Sequence, residues 1–196
     1  MAPVSRYATI VADPPWHYGE EGTGAKYTAS GGRQTVALPY GTMALPEIEA
    51  LPIADLALPG AHLYLWTTNR YLEASFAIAR AWGFQHIATL VWCKPHGALS
   101  GGVFHSNVEF ILHCRAAGQA FAVPARIPTR WFQWPRGAHS AKPEAFLDLV
   151  EHVSPAPYLE LFARRNRLGW DTWGNEALGH VALPEEAQLD LFGQGA

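Results

Sequence analysis

Cysteine is scarce in this chain: Cys93 and Cys114 are the only two among 196 residues. Each lies inside a strand-like apolar run with no metal-ligand spacing beside it, which argues against a disulfide framework or a cysteine-held metal. Buried structural thiols are expected instead, and no metal. Long apolar runs are missing too. No stretch approaches the roughly 18 residues of a membrane span, and the N-terminus lacks the basic and apolar regions of a signal peptide. The expectation is a soluble, cytoplasmic protein with no membrane partner. Net charge is also small, −3 at neutral pH, which argues against nonspecific coating of nucleic acid.

That small average hides a segregation. Residues 115–170 carry eight bases (Arg115, Arg126, Arg130, Arg136, Lys142, Arg164, Arg165, Arg167) against Glu144, Asp148, Glu151 and Glu160. Residues 171–196 carry five acids and no base. A basic segment beside an acidic tail suits a polyanion site in an otherwise neutral protein. The competing reading scatters these arginines over different faces.

What is present fits one domain with a substantial core. Strand-like runs occupy residues 7–12, 61–67, 86–94, 108–115 and 158–163, and helical patterns occupy 46–51, 71–82 and 143–153. The second helix ends at Gly83, and the third opens with Pro143 at its first position and Glu144 in its first turn. This alternation predicts a three-layer α/β sandwich with a largely parallel sheet. Residues 86–94 and 108–115, joined by a Gly-rich loop, read as an antiparallel pair. Two long segments, 17–40 and 123–140, read as irregular, and such loops are usually functional. The second interleaves Arg126, Arg130 and Arg136 with Trp131, Phe132 and Trp134, a pattern that suits unpaired bases and phosphates. Aromatics plugging the core beneath a loop would give the same pattern.

The most informative stretch is Asp13-Pro14-Pro15-Trp16, directly after the first strand-like run. Neither proline can donate to a sheet ladder, and Pro14 restricts Asp13 to extended geometry. The strand must stop there, and a stiff turn projects an acid and an indole at the carboxyl edge of the sheet. Open α/β folds bind ligands at that edge. A carboxylate and a free backbone carbonyl can accept both hydrogens of an exocyclic amine on an aromatic base. That draws the nitrogen toward tetrahedral geometry and frees its lone pair, while an aromatic ring stacks the base. Attack on a methyl sulfonium then needs alignment and proximity. The plain alternative is a proline turn with Trp16 as core filler.

An ordered set of short motifs continues along the chain: Leu38-Pro39-Tyr40-Gly41-Thr42-Met43, His139-Ser140-Ala141-Lys142-Pro143, Glu160-Leu161-Phe162-Ala163-Arg164, Gly169-Trp170 and Trp173-Gly174-Asn175-Glu176. Together with the Asp-Pro-Pro-Trp turn, this set resembles the DPPW-type adenine methyltransferases, the family of the messenger-RNA adenosine methyltransferase catalytic subunit and of small bacterial and phage relatives. The resemblance spans residues 7–177. It implies a circularly permuted, Rossmann-like methyltransferase fold, S-adenosylmethionine as cofactor (leaving as S-adenosylhomocysteine) and the 6-amino group of adenine as acceptor. A catalytic domain over 1–177 and a tail over 178–196 follow from its extent.

By motif match, Asp13 and the Pro14 carbonyl would hold the amine, with Pro15 stiffening the turn and Trp16 stacking the base. Tyr40 would line the adenine pocket, and Arg130 and Arg136 would meet the nucleic acid. Ser140 and Lys142 would meet the methionine carboxylate. Glu160, Arg164, Asn166, Asn175 and Glu176 would address the ribose and adenosine end. Plain readings compete: Lys142 as a solvated lysine before a helix, Tyr40 as a buried loop tyrosine. Glu160, an acid within an apolar strand, is harder to explain that way, because unpaired burial is costly. Larger relatives use a stretch well upstream of the turn for the cofactor adenine, and only twelve residues precede Asp13 here.

The favoured substrate is DNA, with the same chemistry on RNA, or a non-catalytic nucleic-acid-binding partner subunit, as alternatives. The preference for DNA rests on the tail. Gln188-Leu189-Asp190-Leu191-Phe192 resembles the peptide by which bacterial polymerases and repair proteins dock on the sliding clamp. This implies a bacterial or phage-infected cytoplasm. Leu191 and Phe192 would fill an apolar pocket, Gln188 would bond its rim, and the tether would raise effective concentration on DNA. The competing reading tucks the Leu-Leu-Phe face against the domain.

Overall fold

The computed structural model describes residues 6–17, 23–27, 33–37, 41–98, 104, 106–137 and 141–174. Tyr40, Ser140, Asn175, Glu176, the proposed boundary at 177 and the peptide from Gln188 to Phe192 lie outside the described residues.

The chain opens with β1 (Tyr7–Ala12), β2 (Thr23–Tyr27) and β3 (Arg33–Ala37), then α1 (Leu45–Glu49) and α2 (Ile53–Leu56). The middle holds β4 (Ala57–Thr67), α3 (Leu72–Ala81), β5 (Phe84–Ala98) and β6 (Ser106–Ala116). Then come β7 (Trp131–Gln133), α4 (Glu144–Val153), β8 (Tyr158–Leu161) and β9 (Trp170–Trp173). Seven strands form one sheet in the order β7-β5-β6-β4-β1-β8-β9. β1 pairs parallel to both β4 and β8, β8 to β9, and β5 to β7. β6 runs antiparallel between β4 and β5, as the Gly-rich connection predicted. The sheet is mostly parallel and Rossmann-like, and its centre joins strands from opposite ends of the chain, as a permuted order requires.

Two apolar clusters sandwich it. Ile10 and Ala12 of β1, Leu63 and Leu65 of β4, and Leu159 and Leu161 of β8 pack with Ile48 of α1, Ile53 of α2 and Ile78 of α3. On the other face Val11, Tyr64, Trp66, Trp92 and Ile111 pack against Phe146, Leu147 and Val150 of α4. Central strands buried on both faces read as continuous apolar runs, which explains why β1 and the second half of β4 were legible. α3 stops where the sequence indicated: Gly83 has φ +84° and donates to the Arg80 carbonyl at 2.9 Å. Trp82 beside it is buried, with its indole N–H on the Ile48 carbonyl at 3.0 Å.

Several expectations need correction. Residues 17–40 are not wholly irregular, since β2 and β3 form an antiparallel two-stranded sheet. Residues 123–140 contain β7, which extends the main sheet beyond β5. Pro143 caps α4 rather than opening it (φ −61°, ψ 134°), and Glu144 is its first residue. The last strand-like run ends at Leu161, because Phe162 turns to φ +62°.

A buried polar cluster sits beneath α4, away from the Asp13 turn. The Ser154 hydroxyl lies 2.8 Å from His62 Nδ1 and 2.7 Å from the Tyr64 hydroxyl. His113 stacks on Tyr64 at 4.9 Å and meets His62 edge-on at 5.2 Å, with its Nε2 buried and unpartnered. Burial, helped by the neighbouring positive groups His62, His86 and Arg115, pushes His113 down to about 4. Burial and Arg115 likewise lower His62. Between an unfolded value near 6.5 and that folded value, only the unfolded chain takes up the His113 proton. Stability should therefore fall as pH drops through this window, by roughly 3 kcal/mol from His113. His113→Phe removes the titration and the orphaned nitrogen, so its melting temperature should drop less between pH 7 and 4.5 than the parent's. Equal losses in a calorimetric comparison would contradict this account.

Candidate active site

Asp13 follows directly on β1, at the carboxyl edge of the central strand. Two backbone bonds fix the turn behind it. The Trp16 N–H donates to the Pro14 carbonyl at 2.8 Å, closing a three-residue turn, and the Met43 N–H donates to the Pro15 carbonyl at 3.0 Å. The Pro14 carbonyl, expected to be free, has one lone pair taken, and the second remains. Trp16 is 5% exposed and stacks on Tyr71, with centroids 5.1 Å apart and planes 16° apart. That face of the indole is core, in line with the plain reading, and any base must use what Tyr71 leaves. The Trp16 indole N–H is itself buried and unpartnered.

Charge gathers on the α4 side of this edge. Lys142, just before α4, places Nζ 2.6 Å from Asp13 Oδ2 across 129 positions of sequence. The same ammonium lies 3.4 Å from Glu109 Oε2. Glu109 Oε1 in turn takes a short ion pair from Lys94. Strand register explains the convergence: Glu109 of β6 stands opposite Trp92 of β5, and Trp66 of β4 opposite Ile111. The two indoles floor the site, with Lys142 Nζ 5.2 Å over Trp66 and Lys94 Nζ 4.9 Å over Trp92. Burial would lower Lys142, but Asp13 and Glu109 outweigh it and push it up to about 12. Glu109 meets a burial penalty that would raise it, yet Lys142 and Lys94 hold it below the usual carboxylate range. Both ions are firmly charged at neutral pH.

Glu160 completes the arc. It lies on β8 opposite Val11 of β1, and its Oε2 is buried without a partner. Burial pushes it up to about 7; Arg165 opposes this, while Asp13 and Glu144 add to it. The chain next to it is strained, because Phe162 holds φ +62°, a conformation costly for an aromatic residue. Phe162 is pinned edge-on against Trp173 at 5.3 Å. Gly174 presses so close that an added Cβ would lie 2.4 Å from the Ala163 carbonyl oxygen, so only glycine fits. Arg164 stands near enough to Lys142 to repel its charge, and Asn166 Oδ1 accepts a long bond from the Thr172 hydroxyl at 3.4 Å.

Asp13, Lys142, Glu160 and Arg164 are therefore brought together, and Arg130 is not; Arg136 is exposed in the irregular stretch that follows β7. Arg130 is exposed at the start of β7, which β4, β6 and β5 separate from β1, about 19 Å at ordinary strand spacing. Beside it Trp131 is 59% exposed on the sheet edge. Phe132 and Trp134 instead stack on one another at 4.7 Å, and the Trp134 carbonyl caps the buried Trp92 indole. The basic segment divides likewise. Arg167 is committed to Glu144, Asp148 and Glu151 on α4, and Arg165 to Glu144 at 2.6 Å. The sequence reading missed Glu109, Lys94 and Trp66. The available signal was a pair of opposite charges ending two strands already expected to run antiparallel.

Comparison with known proteins gives the family. The chain is 30% identical over 201 residues to the type II methyltransferase M.MunI from a Mycoplasma species, covering 96% of this chain and 85% of that protein. It is 25% identical over 194 residues to the human N(6)-adenosine-methyltransferase catalytic subunit METTL3, and 27% over 184 residues to an MT-A70-like N(6)-adenosine-methyltransferase of Arabidopsis thaliana. Those matches cover 93% and 88% of this chain but only 30% and 24% of the longer relatives. Residues 7–176, from the first residue of β1 to the edge of the Trp173-Gly174-Asn175-Glu176 motif, match the MT-A70 family, and the chain belongs to it.

Proposed function

We propose that this protein transfers a methyl group from S-adenosylmethionine directly to the 6-amino group of adenine in nucleic acid, with DNA as the favoured substrate. The observation that carries the reading is the convergence of Asp13 with Lys142 and Glu160 at the carboxyl edge of β1. The residues present fit the cofactor. Lys142 supplies a firmly charged ammonium for the donor's carboxylate. The orphaned Glu160 Oε2 is an acceptor awaiting a hydroxyl, such as one of the ribose. Arg164 lies within charge range of Lys142, and Asn166 bonds Thr172, which stands opposite Glu160 in register; Ser140, Asn175 and Glu176 are assigned to the same end by motif. Bound there, S-adenosylmethionine would supply a sulfonium methyl and leave as a thioether.

The chain's own work is positioning. Asp13 and the remaining lone pair of the Pro14 carbonyl accept the two amine hydrogens and aim the nitrogen lone pair. As the nitrogen–carbon bond forms and the donor's sulfur–carbon bond breaks, the amine gives up one hydrogen as a proton to solvent by way of the Asp13 carboxylate that holds it, and no covalent bond to the protein is made. Tyr40 and the Asp13–Pro15 turn, with Trp16 buried at its end, would wall the base. Exposed Arg130 and Trp131, with Arg136, would track the flanking strand by phosphate contact and stacking. The relatives named as N(6)-adenosine-methyltransferases support the acceptor atom. DNA is placed ahead of RNA on the tail, whose Gln188-Leu189-Asp190-Leu191-Phe192 segment we assign to a bacterial sliding clamp.

The deciding experiment incubates the protein with labelled donor and matched single- and double-stranded DNA and RNA, then analyses the nucleosides by mass. N6-methyladenine in DNA is expected, and product in RNA alone would move the reading to RNA. Asp13→Ala should lower transfer by at least a thousandfold while leaving donor binding only partly intact, since Asp13 is assigned to the donor as well; transfer at the parent rate would remove Asp13 from the site. For the tail, residues 177–196 as a labelled peptide should bind a bacterial clamp in a polarisation assay, and Leu191→Ala/Phe192→Ala should not. Equal behaviour of the two peptides rejects clamp docking. Glu160 has a pH signature of its own. Its folded value is raised, so the stability it allows is present below about pH 4.5 and lost as pH rises through 7. Glu160→Gln should then melt higher than the parent at pH 8 and similarly at pH 4.5, a gap of roughly 2–3 kcal/mol. A pH-independent difference would show that Glu160 is satisfied some other way.

A further inference from the structure

One oxygen of the Asp13 carboxylate, Oδ2, is already taken. Lys142 holds it at 2.6 Å in a charge-assisted bond that an amine hydrogen must displace or share. The same ammonium has a second carboxylate within reach: Glu109 Oε2 at 3.4 Å, beyond good hydrogen-bonding distance but inside ion-pair range. Glu109 sits on β6 in register with Trp92 and is held from behind by Lys94, so it is a fixed point. Lys142 belongs to the irregular approach to α4, outside any ladder. Beneath it lies the Trp66 ring at 5.2 Å, which attracts a cation without prescribing its direction. A cation on a flexible stem, between two carboxylates and over an aromatic floor, has two places to rest.

We propose that Lys142 has two positions and that Glu109 provides the second: without donor it caps Asp13, and with a donor carboxylate present it moves toward Glu109 and leaves both Asp13 oxygens open to the amine. The inference rests on the adenine methyltransferase reading above. Charge balance favours it. Asp13, Lys142, Glu109 and Lys94 alternate in sign and sum to zero, and Lys94 neutralises Glu109 so that Lys142 is not saturated by two acids. An added carboxylate can therefore be met by Lys142 at the expense of Asp13. Glu109 is a positioning residue, acting on the reaction only through Lys142. The consequence is positive coupling: the donor side must be filled before the amine is held well, and linkage makes the effect reciprocal.

Binding tests this without turnover. The affinity of a short single-stranded oligonucleotide with one adenine is measured by polarisation with and without S-adenosylhomocysteine, which keeps the carboxylate and has no methyl to give. In the parent protein, saturating S-adenosylhomocysteine should tighten the oligonucleotide about tenfold. The same strand carrying purine, which lacks the amine, should gain less than twofold. In Glu109→Gln the adenine gain should fall below threefold, while S-adenosylhomocysteine alone binds within about threefold of the parent. Glu109→Asp, which keeps the charge, should recover part of the gain. Equal adenine affinity with and without S-adenosylhomocysteine in the parent, an equal gain for purine, or a full tenfold gain in Glu109→Gln overturns the two-position inference. If Glu109→Gln does not fold, the parent and purine arms decide by themselves. Failure of S-adenosylhomocysteine to bind at all would instead remove the cofactor reading, and this inference with it.

Discussion

Everything at the candidate site depends on one strand being buried on all sides. β1 lies between β4 and β8, and its six residues, Tyr7 to Ala12, are all buried. Its hydrogen bonds are taken on both edges and its side chains on both faces, so its end cannot shift without unmaking the sheet. The stiff turn of Asp13-Pro14-Pro15 extends that rigidity by three residues. A carboxylate is thereby presented from a backbone held on both edges and both faces, as the proposed positioning role requires. The parallel pairing of β1 with β8 also places Glu160 one strand away from Val11, so two acids from distant sequence share the edge without sharing a loop.

That edge is held at an electrostatic cost the rest of the fold offsets. Glu160 carries a buried oxygen without a partner, Phe162 sits in a strained conformation, and the Trp16 indole N–H is unmet. These features would be defects in a purely structural protein and are usual where a ligand supplies the missing contacts. The core compensates: two apolar clusters, one on each face of the sheet, bury Trp66, Trp82, Phe84 and Phe146 nearly completely. The two indoles under the lysines belong to both systems. Trp66 and Trp92 pack edge to face in the core at 5.9 Å and turn their other surfaces to Lys142 and Lys94.

Sequence was a good guide wherever burial on both faces or a turn residue left a continuous mark. β1, the antiparallel β5–β6 pair, α3 with its Gly83 stop and the Asp13 turn were all legible for that reason. It failed on β7 and β9, of three and four residues, because strands so short carry no period. It failed on β2 and β3 because glycine-rich composition reads as loop. Within the site, residue types were legible and partners were not. Lys142 could be assigned to a binding role by motif, but its bond to Asp13 spans 129 positions and depends on where α4 begins. Glu109 was invisible as a site residue because its importance comes from strand register, which only pairing reveals.

The segregation of arginines shows how the fold sorts one kind of residue into two uses. Arg165 and Arg167 follow β8 and lie against α4, where Glu144, Asp148 and Glu151 bind them; the Trp170 indole also donates to Glu151, at 2.6 Å. They brace the segment between β8 and β9 rather than offering charge to a ligand. Arg130 precedes an edge strand, exposed, beside an exposed tryptophan. A sheet edge is where a chain can approach without displacing packed helices, and it lies about four strand spacings from Asp13. That span matches several nucleotides of an extended strand. On the proposed reading, a polyanion crossing the carboxyl edge from β7 to β1 would meet charge and an aromatic surface first and the fixed carboxylate last, an order set by the position of the strands in the sheet.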